Sequence, residues 1–81
     1  MKVTVRFFAS HREAIGVSTC PVDVPEGTSA AGALELLCRR FPPLAALAPS
    51  CAFAVNLTQV AGSTTLRDGD ELALLPPMAG G

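Results

Sequence analysis

Apolar and polar residues alternate strictly from Lys2 to Phe7 in the run Lys-Val-Thr-Val-Arg-Phe-Phe, with Phe8 an apolar residue at the next outward position, the period-two pattern of a strand covered on one face. Val3, Val5 and Phe7 form the inward set. Phe8 falls with Lys2, Thr4 and Arg6 on the outward set, where a large aromatic needs cover from the following segment or from a partner. Ala9 to Gly16 reads as a short helical turn, with Ser10 as its cap, Glu13 completing a capping box and Gly16 as the stop. Val17 to Val24 predicts a second strand with Cys20, Val22 and Val24 inward. Pro21 has no N–H to offer a ladder, which assigns this strand to a sheet edge.

Pro25-Glu26-Gly27 reads as a turn, after which Thr28 or Ser29 caps the one substantial helix. Ala30, Ala33, Leu34, Leu37, Cys38 and Phe41 recur at the three-and-four spacing of a core-facing stripe. Glu35 and Arg39 are spaced to pair on the opposite side, and Arg40 suits the C-terminal end of the helix dipole. Pro42-Pro43 ends the helix, and Leu44 to Ala48 predicts one more loose helical turn. Cys51 to Leu57 is almost entirely apolar, as in a strand covered on much of both faces, with Asn56 starting a turn through its side chain. A short strand is expected about Val60. Leu66 to Asp70 then makes a tight turn with Gly69 at positive φ, and Glu71 to Leu75 is the last strand, with Leu72 and Leu74 inward and Leu75 outward. The order strand, strand, helix, strand, short strand, strand predicts an α+β fold, a mixed sheet of four to five strands packed on one main helix. Pairing the first and last strands in parallel at its centre puts Phe8 and Leu75 together on the exposed side.

Composition sharpens this picture. With 81 residues there is room for one domain, assigned to residues 1–75, with residues 76–81 as an extended tail. Hydrophobic residues are 49% and charged residues 16% of the chain, more apolar material than so small a body hides, so part of the surface is expected to meet a partner. The net charge of −1, without a Lys/Arg cluster or an aromatic platform, argues against nucleic acid. The longest apolar run, Leu44 to Val55, is broken by Pro49 and Ser50 and is too short to span a bilayer. Arg6 interrupts any signal-peptide core, so a cytoplasmic location is expected. Cys20, Cys38 and Cys51 form no C-x-x-C pair and have one histidine, His11, to help them. That argues against a metal and for buried thiols. His11 reads as a surface residue, and no Ser/His, Cys/His or paired-carboxylate constellation is apparent.

The chemistry is instead expected at Pro76-Pro77-Met78-Ala79-Gly80-Gly81. Two prolines stiffen the exit from the domain, and two glycines fit a channel too narrow for side chains. Six extended residues reach roughly 20 Å. A frayed chain end is the alternative.

Val5-Arg6-Phe7-Phe8-Ala9, Arg12-Glu13 with Gly16, Ala54-Val55-Asn56, Asp68-Gly69-Asp70-Glu71-Leu72 and Pro76-Pro77-x-x-Gly80-Gly81 together resemble the small, sulfur-carrying subunit of molybdopterin synthase, the MoaD type of the MoaD/ThiS ubiquitin-like family. The resemblance runs the whole length. It implies a ubiquitin-like β-grasp fold and a non-catalytic subunit of a sulfurtransferase. The Gly81 carboxylate would be adenylated by an ATP-using, sulfurating enzyme (MoeB type) and converted to a thiocarboxylate. Inserted into the large synthase subunit (MoaE type), it would give sulfur to cyclic pyranopterin monophosphate in molybdenum cofactor biosynthesis. ATP is then consumed by the partner, no cofactor stays bound, and the assembly is two small plus two large subunits. The partner-binding residues carried over are Phe8, Leu75, Pro76, Pro77, Met78, Ala79 and Gly80. Met78-Ala79 stands where the family usually has a β-branched residue and then Ser or Thr, Leu75 where it often has Phe, and Gln59 where an apolar residue is common. Other readings are a ThiS-like carrier for thiazole synthesis, a ubiquitin-like modifier joined to lysines through Gly81, and an adaptor domain with an idle tail.

Overall fold

The alternating stretch at the N-terminus forms β1 (Lys2–Phe7), and Thr19–Asp23 forms β2 in the computed structural model, which describes residues 1–8, 12–13, 15–46 and 51–75. The readings on Ser10, His11, the run from 47 to 50 and the tail lie outside the described residues. Helix α1 (Ala30–Arg40) follows, then a 3-10 helix (Pro42–Ala46), β3 (Ala52–Val55), β4 (Thr58–Val60) and β5 (Glu71–Leu75). The five strands lie in the order β2-β1-β5-β3-β4. β1 and β5 run parallel at the centre, with Val5 opposite Leu72 and Phe7 opposite Leu74, and the other pairings are antiparallel. This is the mixed sheet on one main helix that the element order predicts, and the β-grasp arrangement that the resemblance implies.

Pro21 sits in the edge strand, as its missing donor requires. The bonds Phe7 N–H to Ser18 O (2.8 Å) and Val24 N–H to Met1 O (2.9 Å) set the antiparallel alternation. Thr4 and Pro21 therefore face each other at a position without ladder bonds, and the absent N–H points to the outer edge.

The inner face of the sheet carries Val3, Val5, Phe7, Leu72 and Leu74, and α1 lays Ala30, Ala33, Leu34 and Leu37 against it, all buried. Cys38 and Phe41, the C-terminal part of the expected stripe, are half-buried at its margin. Phe41 meets Phe7 edge-on at 6.3 Å between ring centroids, and the Arg40 guanidinium lies 5.4 Å from the Phe41 centroid. Two core residues come from irregular segments. Leu44 in the 3-10 helix and Leu66 in the loop before β5 are fully enclosed, although alternation gives neither a place in the core.

The N-terminus of α1 is closed from two sides. The Ser29 hydroxyl accepts from Gly32 N–H at 3.0 Å, as a cap should. The loop after β4 supplies the rest, with Thr64 O accepting from Ala30 N–H and Gly62 O from Ala31 N–H, both at 2.9 Å. These are donors that a helix cannot satisfy internally. Gly62 fits closely there: a Cβ would come within 3.1 Å of the Phe53 ring and 3.2 Å of Ala31 Cβ, so a larger residue would push these neighbours back by a few tenths of an ångström. Glu35 and Arg39 are exposed, and no ion pair joins them among the described residues.

β3 ends at Val55, two residues before the sequence pattern runs out, because Asn56 (φ 49°) and Leu57 (φ 71°) turn left-handed into β4. Asn56 does not fold its side chain into its own turn. Its carbonyl oxygen accepts from Glu71 N–H at 3.0 Å, its amide donates to Asp70 Oδ1 at 3.0 Å, and its backbone N–H donates to Glu71 O at 2.9 Å. Gly69, at φ 85° as its turn demands, donates its N–H to Lys2 O at 2.7 Å. No described helix is long and apolar enough to cross a membrane.

Three substitutions follow in a denaturation series. Leu72→Ala, at a wholly buried central position, should cost about 2–5 kcal/mol, seen as a lower urea midpoint at unchanged slope. Asn56→Ala removes both cross-strand side-chain bonds and should cost about 1–3 kcal/mol. Leu57→Gly relieves a side chain at positive φ, worth about 1–2 kcal/mol, against the entropy of a more flexible unfolded chain, about 0.5–1 kcal/mol. The midpoint should therefore rise slightly, and a fall would contradict the strain.

Candidate functional site

One face of the sheet is covered by α1, and the pairing register defines what lies on the other. Arg6 is opposite Ala73, Ala73 opposite Ala54 and Ala54 opposite Gln59, a single row across four strands. Beside it stand Thr4 opposite Glu71 on one side and Leu75 opposite Ala52 on the other. Phe8 and Leu75 each lie one residue beyond the Phe7–Leu74 pair, and strand alternation directs both to this face, over which no described helix packs. Phe8 is 37% exposed and Leu75 is half-buried. The expected juxtaposition of these two residues is thus consistent with the register.

Three alanines make the floor of this face shallow, and Ala54 is itself buried among its neighbours. Arg6 and Glu71 form the polar side, with Nη2 to Oε2 at 3.2 Å and side chains 44% and 33% exposed. An ion pair so open to solvent contributes little to stability. Charges at the rim of a docking surface can orient an incoming partner. Gln59 is exposed at the far end of the row. The arrangement can dock a flat, mainly apolar partner with polar contacts at its margins, and it brings together no nucleophile and base. Among the described residues no three His, Cys, Asp or Glu side chains come together.

Of the residues singled out from the sequence, Phe8 and Leu75 are on this face, while Pro76, Pro77, Met78, Ala79, Gly80 and Gly81 lie outside the described residues. What is described is the strand end that they follow, in the middle of the sheet beside the apolar end of the face. Nothing in the linear pattern singles out Ala52, Ala54, Ala73 or the Arg6–Glu71 pair as parts of one face. Ala73 was readable as outward, since it lies between the inward Leu72 and Leu74. Joining it to Ala54 and Arg6 required the register between strands.

Comparison with known proteins agrees with this architecture. The chain is 32% identical over 83 residues to the molybdopterin synthase sulfur carrier subunit of Chlamydomonas reinhardtii, covering all of both chains. It is 38% identical over 88 residues to that of Aedes aegypti, covering all of this chain and 90% of the relative. Among solved structures it is similar to small archaeal modifier protein 1 from Haloferax volcanii, with a TM-score of 0.86 at 28% identity and full coverage of both chains. It is also similar to a putative molybdopterin converting factor subunit 1 from Pyrococcus furiosus, with a TM-score of 0.85 at 27% identity, covering 96% of this chain and 99% of that one. A third likeness is to the complex of subunits 1 and 2 of the molybdopterin-converting factor from Helicobacter pylori, with a TM-score of 0.70 at 29% identity and full coverage of both chains. The pattern of the ThiS family matches residues 5–81, nearly the whole length, and with a five-stranded mixed sheet packed on α1 behind that match, the chain belongs to the ThiS family.

Proposed function

We propose that this protein is the sulfur-carrier subunit of a molybdopterin synthase. The observation that carries the reading is the end-to-end similarity, at 32% and 38% identity, to proteins of that name. The docking face supports it. A carrier without catalytic side chains must be recognised by partners, and an uncovered, shallow, apolar face beside the end of β5 suits that role.

The reacting group in this proposal is the main-chain carboxylate of Gly81. A carboxylate is a poor electrophile until one oxygen becomes part of a good leaving group. Joining it to AMP, at the expense of ATP on the activating enzyme, achieves this, and sulfur then displaces AMP to leave a thiocarboxylate. That group is the nucleophile delivered to the pterin substrate, cyclic pyranopterin monophosphate. Acids and bases belong to the partners. Pro76, Pro77, Met78, Ala79 and Gly80 act as the stiff-then-slender lead that carries Gly81 into the large subunit, while Phe8 and Leu75 anchor the body. The complex of two subunits named for the Helicobacter pylori relative supports a large-subunit partner. The proposal further takes the assembly to be cytoplasmic and to hold two small and two large chains.

A second reading, attachment of Gly81 to lysines of other proteins, is favoured by the close likeness to an archaeal modifier protein. Both readings need an activated Gly81 and differ in the acceptor.

Incubated with its activating enzyme, ATP and a sulfur donor, the protein should gain, on its C-terminal peptide, the mass of one oxygen-to-sulfur exchange. Unchanged mass together with appearance of this chain on lysines of other proteins would favour the modifier. Deleting Gly81 should abolish sulfur transfer while leaving large-subunit binding measurable; retained transfer would refute the role of this residue. Phe8→Ala and Leu75→Ala should each weaken that binding by about 1–3 kcal/mol in calorimetric titration, and wild-type affinity in both would mean that the tail alone docks.

A further inference from the structure

A concave surface lies on the opposite side of the sheet from the docking face. It is an open groove of about 610 Å³ between α1 and the start of β3, floored by Leu34 and Phe53 and edged by Glu35 and Arg39. Phe53 pairs with the buried Leu74, which places it on the helix-covered side. Cys38 from α1 and Cys51, the residue before β3, both line this groove and both are half-buried. Cys20, by contrast, is enclosed in the core.

We propose that Cys38 and Cys51 form a two-thiol modification site that reacts with a low-molecular-weight disulfide of the glutathione type and ends as an intramolecular Cys38–Cys51 disulfide. Two thiols from separate elements, with 12 residues between them in sequence, line one solvent-open cleft whose volume falls within the range that holds a small ligand. Arg39 at its edge complements the carboxylates of such a reagent. One groove thiolate attacks a sulfur of the reagent, forming a mixed disulfide and releasing one reduced reagent molecule. The second thiolate then attacks the protein sulfur of that mixed disulfide and expels the other half. Two cysteine thiols are oxidised, one reagent disulfide is reduced to two thiols, and the protons from the cysteines end on the departing thiolates.

The surroundings set the rate. Burial pushes the Cys38 thiol up, with the Glu35 carboxylate adding to it; burial pushes Cys51 up, with Cys38 adding to it. Glu35 and Arg39 are the charged groups on the groove walls. Only a small fraction of either thiol is thiolate at neutral pH, so modification is slow there and accelerates with rising pH. The bridge would tie the C-terminal half of α1 to β3 and leave the Arg6, Ala73 and Leu75 face untouched.

The test uses the full chain, reduced, then treated with excess oxidised glutathione and quenched with acid. Intact mass should fall by two hydrogens relative to the reduced protein. Peptide mapping after combined cleavage at Arg and Glu, which separates Cys20 from Cys38, should find Cys38 linked to Cys51 and Cys20 still alkylatable after denaturation. The rate should rise about tenfold from pH 7 to pH 8. Cys38→Ser and Cys51→Ser should each stop at one glutathionyl adduct on the remaining groove thiol. A stable adduct on either groove cysteine of the wild type, a link through Cys20, a disulfide dimer, no reaction, or a rate independent of pH would overturn the proposal.

Discussion

The parallel pairing of β1 with β5 is the constraint on which the rest depends. Adjacent parallel strands cannot be joined by a tight turn, so the chain between them has to leave the sheet, cross one face and return. β2 and β3 rejoin the sheet on either side of the central pair, and among the described residues α1 is the element that crosses the inner face between them. Val5, Leu72 and Leu74, on the two paired strands, have no measurable exposure. The end of β5 is therefore held between neighbours on both sides instead of fraying at an edge, and a segment leaving it starts from a fixed point.

Closure of the crossover rests on polar groups as much as on packing. The carbonyls of Gly62 and Thr64 complete the first turn of α1, so the loop after β4 and the helix start order each other. Asn56 performs the matching task at the opposite corner, fastening the β3–β4 turn to the start of β5. No buried side-chain nitrogen or oxygen among the described residues lacks a partner, consistent with a small core in which each unsatisfied group would be costly.

Much of this was legible in the residues themselves. Period-two alternation identified β1 and β5 and the outward setting of Phe8 and Leu75, Pro21 marked an edge, and the three-and-four spacing with Ser29 located α1. Leu44 and Leu66 escaped because core residues on irregular segments have no period. The sequence around Asn56 points only to a local turn, since its bonds to Asp70 and Glu71 depend on a neighbouring strand distant in sequence. The row of Arg6, Ala73 and Ala54, and the meeting of Cys38 with Cys51 in one groove, are likewise products of register and crossover, which a linear pattern does not encode.

Pro21 has a consequence for how the molecule keeps its own company. An exposed strand edge is a template for adding further strands, and a domain this rich in apolar residues would be prone to stack edge to edge into chains of copies. One border of the sheet presents a proline whose missing donor faces outward. The other is a strand of three residues, Thr58–Val60. Both borders are thus poor templates for self-association, and the broad apolar area left for contact is a face, which admits a partner of complementary shape and gives identical copies no ladder to extend.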